Sequence, residues 1–276
     1  MKKLNYKLIV SDFDGTLIDD NQQILPDVRN AIKNYIACGG VFAVCTGRMT
    51  CCILPRVREL GLKGLVVAYQ GTVIADIESG KILKSGGIES EGIAEICRNI
   101  KELGHPVNVY SGDELYTDIP KNNEYLQRYE RIVGIDAQYV EEDIAEFVLK
   151  RKLFCQKVAI LVAHEEQAAL YAELSRRLSG KYDVTCSAKV LVEISPLNDN
   201  KGEAVKFLAN EFGIPIEKTV AVGDNLNDLS MIKAAGIGVA VGNATEALKN
   251  AADFISVSNN EGAVAEVIEK FGFLNE

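Results

Sequence analysis

Two aspartates stand two residues apart, Asp12 and Asp14, in the stretch Lys7-Leu-Ile-Val-Ser-Asp-Phe-Asp-Gly-Thr-Leu17. In an extended chain, residues i and i+2 point to the same side. Both carboxylates therefore reach one site if the extended geometry persists past Val10, while Phe13 turns away to pack. Carboxylates this close repel, and they need either a cation or a retained proton. Mg²⁺ is the hard, oxygen-seeking ion for such a pair. The run Leu8-Ile9-Val10 ahead of them has the make-up of a strand buried on both faces. Open α/β sheets bind their ligands at the C-terminal tips of such strands, and Gly15 supplies the backbone freedom with which the strand ends.

Three further groups fall at predicted strand tips or helix starts: Thr46-Gly47, Lys201-Gly202 and the run Asp224-Asn-Leu-Asn-Asp228. Each has a plainer reading on its own. Thr46-Gly47 serves as a βα turn, and the acidic run serves as a solvated turn with Asx caps. That run has the oxygen density of a calcium loop, but the Gly and distal Glu of an EF-hand are misplaced. Lys201 opens a helix, where a cation meets the positive helix end, so anion binding explains it better than structure does. Parallel strands of one sheet share a C-terminal edge, which lets all four groups converge. Together they offer a nucleophilic carboxylate, a second acid/base, a hydroxyl with a backbone N–H, an ammonium, and carboxylates for a metal. That is equipment for phosphoryl transfer, in which positioning and charge neutralisation dominate.

The elements that must hold these groups follow from periodicity. Val28, Ala31, Ile32, Tyr35 and Ile36 recur at helical spacing, and the apolar runs Val41 to Cys45 and Leu65 to Ala68 read as strands. Strands alternating with helices imply a parallel sheet. The pattern changes after about residue 84 into the order αββ, αβαβ, αββ, an α+β sheet with helices on one face, and the α/β rhythm returns at Ser195. The chain therefore divides into a core from residues 1–84 and 191–276 and an inserted α+β domain at 85–190.

The motifs Asp12-Phe-Asp-Gly-Thr-Leu17, Thr46-Gly-Arg48, Lys201-Gly202 and Gly223-Asp-Asn-Leu-Asn-Asp228 resemble, in order and spacing, the four motifs of the haloacid dehalogenase superfamily. The insertion resembles the large cap of its Cof-type sugar-phosphatase branch. The resemblance implies an α/β fold with a Rossmann-like parallel-sheet core and an inserted α+β cap. It implies a phosphatase in which Asp12 attacks phosphorus and Asp14 acts as acid and then base. It implies Mg²⁺ held by Asp12, the backbone carbonyl of Asp14, and Asp224. Thr46, Gly47, Lys201 and Asn227 would bind the phosphoryl oxygens, with Asp228 a supporting or metal-linked acid. One departure stands out: the family usually carries Asn-Gly at the third strand tip, and here it is Gln70-Gly71. In the cap, Tyr125, Arg128 and Arg131 are candidates for contact with the rest of the substrate.

Composition bounds the alternatives. The net charge of −9 argues against nucleic acid or an anionic membrane as the main partner. No apolar run approaches the length of a membrane span, and the first residues lack a secretory h-region. Seven cysteines, an odd number without CxxC spacing, read as free thiols in a reducing cytoplasm. The expected partner is a small phosphorylated metabolite. A hexose-phosphate phosphomutase shares the same core, and a phosphoacceptor signalling domain would share the acids but not the insertion.

Overall fold

The computed structural model describes residues 3–188 and 190–274. The first segment alternates as its periodicity predicts: β1 (Leu8–Ser11), α1 (Pro26–Ala37), β2 (Val41–Cys45), α2 (Thr50–Glu59) and β3 (Leu65–Ala68). An antiparallel excursion then adds β4 (Val73–Asp76) and β5 (Ile82–Ser85). The middle of the chain runs α3 (Ser90–Glu102), β6 (Asn108–Ser111), β7 (Glu114–Thr117), α4 (Glu124–Val133), β8 (Gln138–Tyr139), α5 (Ile144–Arg151), β9 (Lys157–Leu161), α6 (His164–Arg177), β10 (Tyr182–Ala188) and β11 (Leu191–Pro196). This is the αββ, αβαβ, αββ order read from the sequence. The last segment runs α7 (Lys201–Glu211), β12 (Thr219–Gly223), α8 (Leu229–Ala234), β13 (Ile237–Ala240), α9 (Glu246–Lys249), β14 (Phe254–Ile255) and α10 (Ala263–Val267).

Two sheets result. The eight-stranded sheet has the order β14-β13-β12-β1-β2-β3-β4-β5, parallel from β14 to β3. Leu8, Ile9 and Val10 are all fully buried. Alternate residues of a strand face opposite ways, so both faces of this sheet must be covered. The packed pairs α1 with α10 and α7 with α8 supply that cover. The second sheet has the order β10-β11-β9-β6-β7-β8 and is antiparallel except between β7 and β8. Its period-two alternation is strict where it matters. Val158, Ile160, Val192 and Ile194 join the cluster under α3, α5 and α6. Ala159 and Leu191, facing the other way, join the main core.

One boundary needs correction. The sequence places the second crossing between residues 190 and 191, but β11 pairs with both β10 and β9, inside the second sheet. A break at 190/191 would cut a hairpin and leave Val192 and Ile194 without their buried face. The chain returns to the large sheet only after Pro196.

Candidate active site

Register sets the site. β1 lies between β12 and β2, with Ser11 opposite both Val222 and Val44. The chain order therefore reverses at β1, and the crevice beyond such a switch point is where α/β sheets hold ligands. Asp12 is the first residue past β1, and its N–H still donates to the Val222 carbonyl at 2.9 Å. Asp224 follows β12 on one side and Thr46 follows β2 on the other. β1 ends at Ser11, but Asp14 keeps an extended backbone (φ −78°, ψ 126°) before the chain turns at Gly15 (φ 72°), and the Ile18 N–H closes the turn on the carbonyl of the buried Phe13 at 3.1 Å. A Cβ on Gly15 would also stand 2.8 Å from an Asp224 carboxylate oxygen, so that turn closes only around glycine.

The acids are organised by one ammonium. Lys201, at the start of α7, is completely buried and donates to Asp12 Oδ1 at 2.5 Å and to Asp228 Oδ1 at 2.6 Å. Asn200 caps the helix, its Oδ1 accepting from the N–H groups of Gly202 and Glu203. The second oxygen of Asp228 accepts the N–H groups of Asp224 at 2.9 Å and Asn225 at 3.0 Å, which folds the acidic loop. Carboxylate oxygens of Asp12, Asp224 and Asp228 lie within 4.8 Å of one another. Burial, together with the charges of Asp228 and Asp224, pushes the Asp12 carboxyl well above its usual range, against the pull of Lys201. Burial and Asp228 push Asp224 up to about 7. Burial alone would favour neutral Lys201, but Asp12 and Asp228 outweigh it and hold the ammonium charged.

Asp14 is less enclosed, with 46% of its side chain exposed. Its two oxygens are gripped by Arg48, Nε at 2.8 Å and Nη2 at 2.6 Å. Thr46 is buried, and its Oγ1 accepts the Arg48 N–H at 3.2 Å. Asn227 is nine-tenths buried; its Nδ2 donates to Gln70 Oε1 at 3.1 Å, and its Oδ1 has no protein partner.

A cavity of about 260 Å³ brings Asp12, Asp14, Thr46, Gly47 and Asn227 together, and its opposite wall comes from the second sheet. Lys201 and Asp224 are not in this cavity's wall: Lys201 lies behind Asp12, to which it donates, and Asp224 sits in the acidic loop held by Asp228. The substrate-side residues named from sequence are not in the wall. Tyr125 and Arg128 are exposed, and Arg131 folds back onto the Gln127 carbonyl. α4 turns Tyr129 inward instead, beside Lys157, Leu161, Leu191 and Glu193. Sequence reading missed Lys157 and Glu193, which form a buried ion pair across β9 and β11. It also gave Arg48 no role. The signal for Glu193 was present: a carboxylate set inside the apolar run Leu191-Val-Glu-Ile194. A charge there must find a buried partner.

A sequence profile described as haloacid dehalogenase-like hydrolase matches residues 9–268. Phosphatase YwpJ of Bacillus subtilis is 31% identical over 284 residues, covering 95% of this chain and 99% of that protein. The 5-amino-6-(5-phospho-D-ribitylamino)uracil phosphatase YcsE of the same organism is 30% identical, covering 96% of this chain and 95% of its own length. Among solved structures, a haloacid dehalogenase-like hydrolase from B. subtilis superposes with a TM-score of 0.84 at 28% identity, covering 95% of this chain and 99% of that one. Among the described residues, no helix is long and apolar enough to cross a membrane.

Proposed function

Because the chain belongs to the haloacid dehalogenase-like hydrolases and is a phosphoric monoester hydrolase, we propose that it is a Mg²⁺-dependent phosphatase of sugar-phosphate-like metabolites, working through a phosphoaspartate on Asp12. The observation that carries this reading is the cavity on which Asp12, Asp14, Thr46, Gly47 and Asn227 converge, with Lys201 buried against Asp12. Relatives named as phosphatases of a phosphorylated ribitylamino-uracil and of HMP-PP fit a small, polar, phosphorylated substrate.

The donor set suits a hard dication. Asp228 is spent on Lys201 and two backbone N–H groups. That leaves Asp12 and Asp224, whose carboxyls are both held above their usual range by burial and by the charge of Asp228, and a dication would replace the protons they retain. Asp12, Asp224 and the Asp14 carbonyl would hold Mg²⁺, which screens carboxylate from phosphate and offsets charge on the transferring group.

In the first half-reaction an Asp12 oxygen attacks phosphorus and the bond to the leaving oxygen breaks, with Asp14, protonated on an oxygen that Arg48 has released, delivering that proton to the leaving oxygen. In the second, Asp14 takes a proton from water as the water attacks the phosphoaspartate, which restores Asp12 and releases phosphate. Thr46 Oγ1, the Gly47 N–H, Lys201 Nζ and the second Asn227 Nδ2 hydrogen hold the phosphoryl oxygens where charge develops. We assign the segment between Gly86 and Pro196 as a lid that excludes water and selects the leaving group.

A panel of phosphorylated metabolites assayed for free phosphate tests the reading. Wild type should turn over at least one, lose activity in EDTA and regain it with Mg²⁺. Asp12→Asn should fold and be inactive, since Lys201 keeps Asp228 as a partner. Activity near wild type in Asp12→Asn would end the proposal. Conversion of a hexose 1-phosphate into its isomer, without free phosphate, would make the enzyme a mutase.

A further inference from the structure

Gln70, at the tip of β3, has an unusual backbone. Tyr69 and Gln70 both lie in the left-handed region, at φ 52° and φ 60°. That region strains a side-chain-bearing residue, and Asn tolerates it better than Gln. A residue kept there against its preference points to a job for the side chain. The Gln70 N–H donates to the Thr46 carbonyl at 2.9 Å, which pins the tip of β3 beside the tip of β2.

The side chain is buried and spans the two halves of the site. Gln70 Oε1 accepts from Asn227 Nδ2 at 3.1 Å, and Gln70 Nε2 donates to Glu193 Oε2 at 2.8 Å. Lys157 Nζ donates to the other Glu193 oxygen and to the Gly47 carbonyl at 2.9 Å. A chain of hydrogen bonds thus runs from Asn227 to Gln70 at the tips of the large sheet, crosses to the second sheet at Glu193 and returns to the large sheet at Gly47. Its polarity is fixed throughout, because a carboxylate only accepts and an ammonium only donates. The Gln70 amide has one orientation that satisfies both ends. Gly47 must lack a side chain for the amide to pass, since a Cβ there would lie 2.4 Å from Gln70 Nε2. An Asn at position 70 is one methylene shorter and cannot bridge Glu193 and Asn227 together.

We propose that Gln70 is a positioning residue that couples seating of the second sheet to the phosphate-binding geometry of the site, by linking the Glu193 carboxylate to the Asn227 amide. The proposal rests on the phosphatase reading, in which Asn227 and Gly47 hold the phosphoryl group. With the lid seated, Glu193 orders Gln70, Gln70 directs one Asn227 N–H away, and the other is left aimed at the phosphoryl oxygens. With the lid lifted, Gln70 loses its Glu193 partner and Asn227 its fixed orientation. Binding of phosphate and closure of the lid then favour each other, as linkage requires.

The test is a double-mutant cycle on the full chain with Mg²⁺, read by inhibition with inorganic phosphate and by hydrolysis of p-nitrophenyl phosphate. Gln70→Asn should weaken phosphate inhibition by roughly tenfold, the scale of one well-placed hydrogen bond to a charged group. It should not lower the melting temperature through the backbone, because Asn suits the left-handed conformation. In an Asn227→Ala background the same change should alter phosphate inhibition by less than about twofold, because its effect runs through Asn227. Gln70→Met, of similar length but without an amide, should repeat the loss. Equal losses in the two backgrounds, or phosphate inhibition unchanged in both Gln70 variants, would overturn the coupling while leaving the phosphatase reading intact. A wild-type protein that neither hydrolyses the ester nor is inhibited by phosphate would overturn both.

Discussion

Arg48 holds both carboxylate oxygens of Asp14, with N–O distances of 2.8 and 2.6 Å. The grip fixes where Asp14 points, and it comes from the tip of the neighbouring strand, two residues past Thr46. If Asp14 protonates the leaving oxygen, its importance must scale with how poor that leaving group is. A sugar alkoxide leaves badly without a proton, whereas nitrophenolate is already a stable anion. Asp14→Asn should therefore lose about 10²–10⁴ in phosphoenzyme formation from a sugar phosphate, and much less from p-nitrophenyl phosphate. The later water attack still needs the base, so a burst of nitrophenolate should precede a stalled phosphoenzyme. Rapid mixing with both esters measures this. Equal losses on the two, with no burst, would remove Asp14 from acid catalysis.

Arg48→Lys keeps the charge but not the fork that meets both oxygens. We expect a roughly tenfold loss of kcat on an alkyl phosphate and a smaller one on the nitrophenyl ester, the same leaving-group signature as Asp14→Asn in weaker form. A loss identical on both esters would show that Arg48 serves phosphate binding instead of Asp14.

Much of this site was legible because its residues lie at strand tips, where apolar runs stop at polar residues. Leu8-Ile9-Val10 announced Asp12, and Thr219 to Val222 announced Asp224. The order of elements in the insertion was legible for the same reason, since helical and alternating periods differ. What was not legible lies across sheets. Lys157 and Glu193 are 36 positions apart and meet through the β9–β11 register, which periodicity does not encode. The choice of Tyr129 over Arg128 depends on how α4 is rotated; Leu126 is fully buried and Tyr129, three positions on, shares its face, a helical spacing that the sequence reading did not use. The misplaced boundary at 190/191 has a different cause: β11 is an apolar strand whichever sheet it joins.

Buried thiols set an alkaline limit on stability. Burial pushes Cys45 up to about 12 and Cys155 up to about 12, against 9.0 for an unperturbed thiol. Below the unfolded value both states are protonated and the contribution is complete. Between about 9 and about 12 the unfolded chain loses the proton first, so stability falls by about 1.4 kcal/mol per pH unit for each thiol. Urea unfolding followed from about pH 8 to about pH 10.5 should show this decline, and Cys45→Ala should make it shallower by about one proton's worth. A slope unchanged by the substitution would mean that Cys45 is not among the titrating groups.

Lys201 offers a test that separates charge balance from catalysis. Its ammonium touches Asp12 and Asp228 in a fully buried place, and Asp224 completes a trio of acids within 4.8 Å of one another. Lys201→Met removes the cation and leaves the acids facing each other in low dielectric. Breaking a buried pair by deleting one partner typically costs about 3–5 kcal/mol, and the metal-free variant should melt correspondingly lower than wild type. A dication at Asp12 and Asp224 would supply the missing positive charge, and a ligand that binds only the folded state stabilises it by RT ln(1 + [L]/Kd). Mg²⁺ should therefore raise the melting temperature of Lys201→Met by more than it raises that of wild type. Turnover should nevertheless remain lost, because the metal replaces the charge but not the ammonium donor that the proposed mechanism gives to the phosphoryl oxygens. Thermal melts of both proteins with EDTA and with saturating Mg²⁺, beside a phosphate-release assay, give all the quantities needed. A Mg²⁺-induced shift in Lys201→Met no larger than in wild type would place the metal away from these three acids.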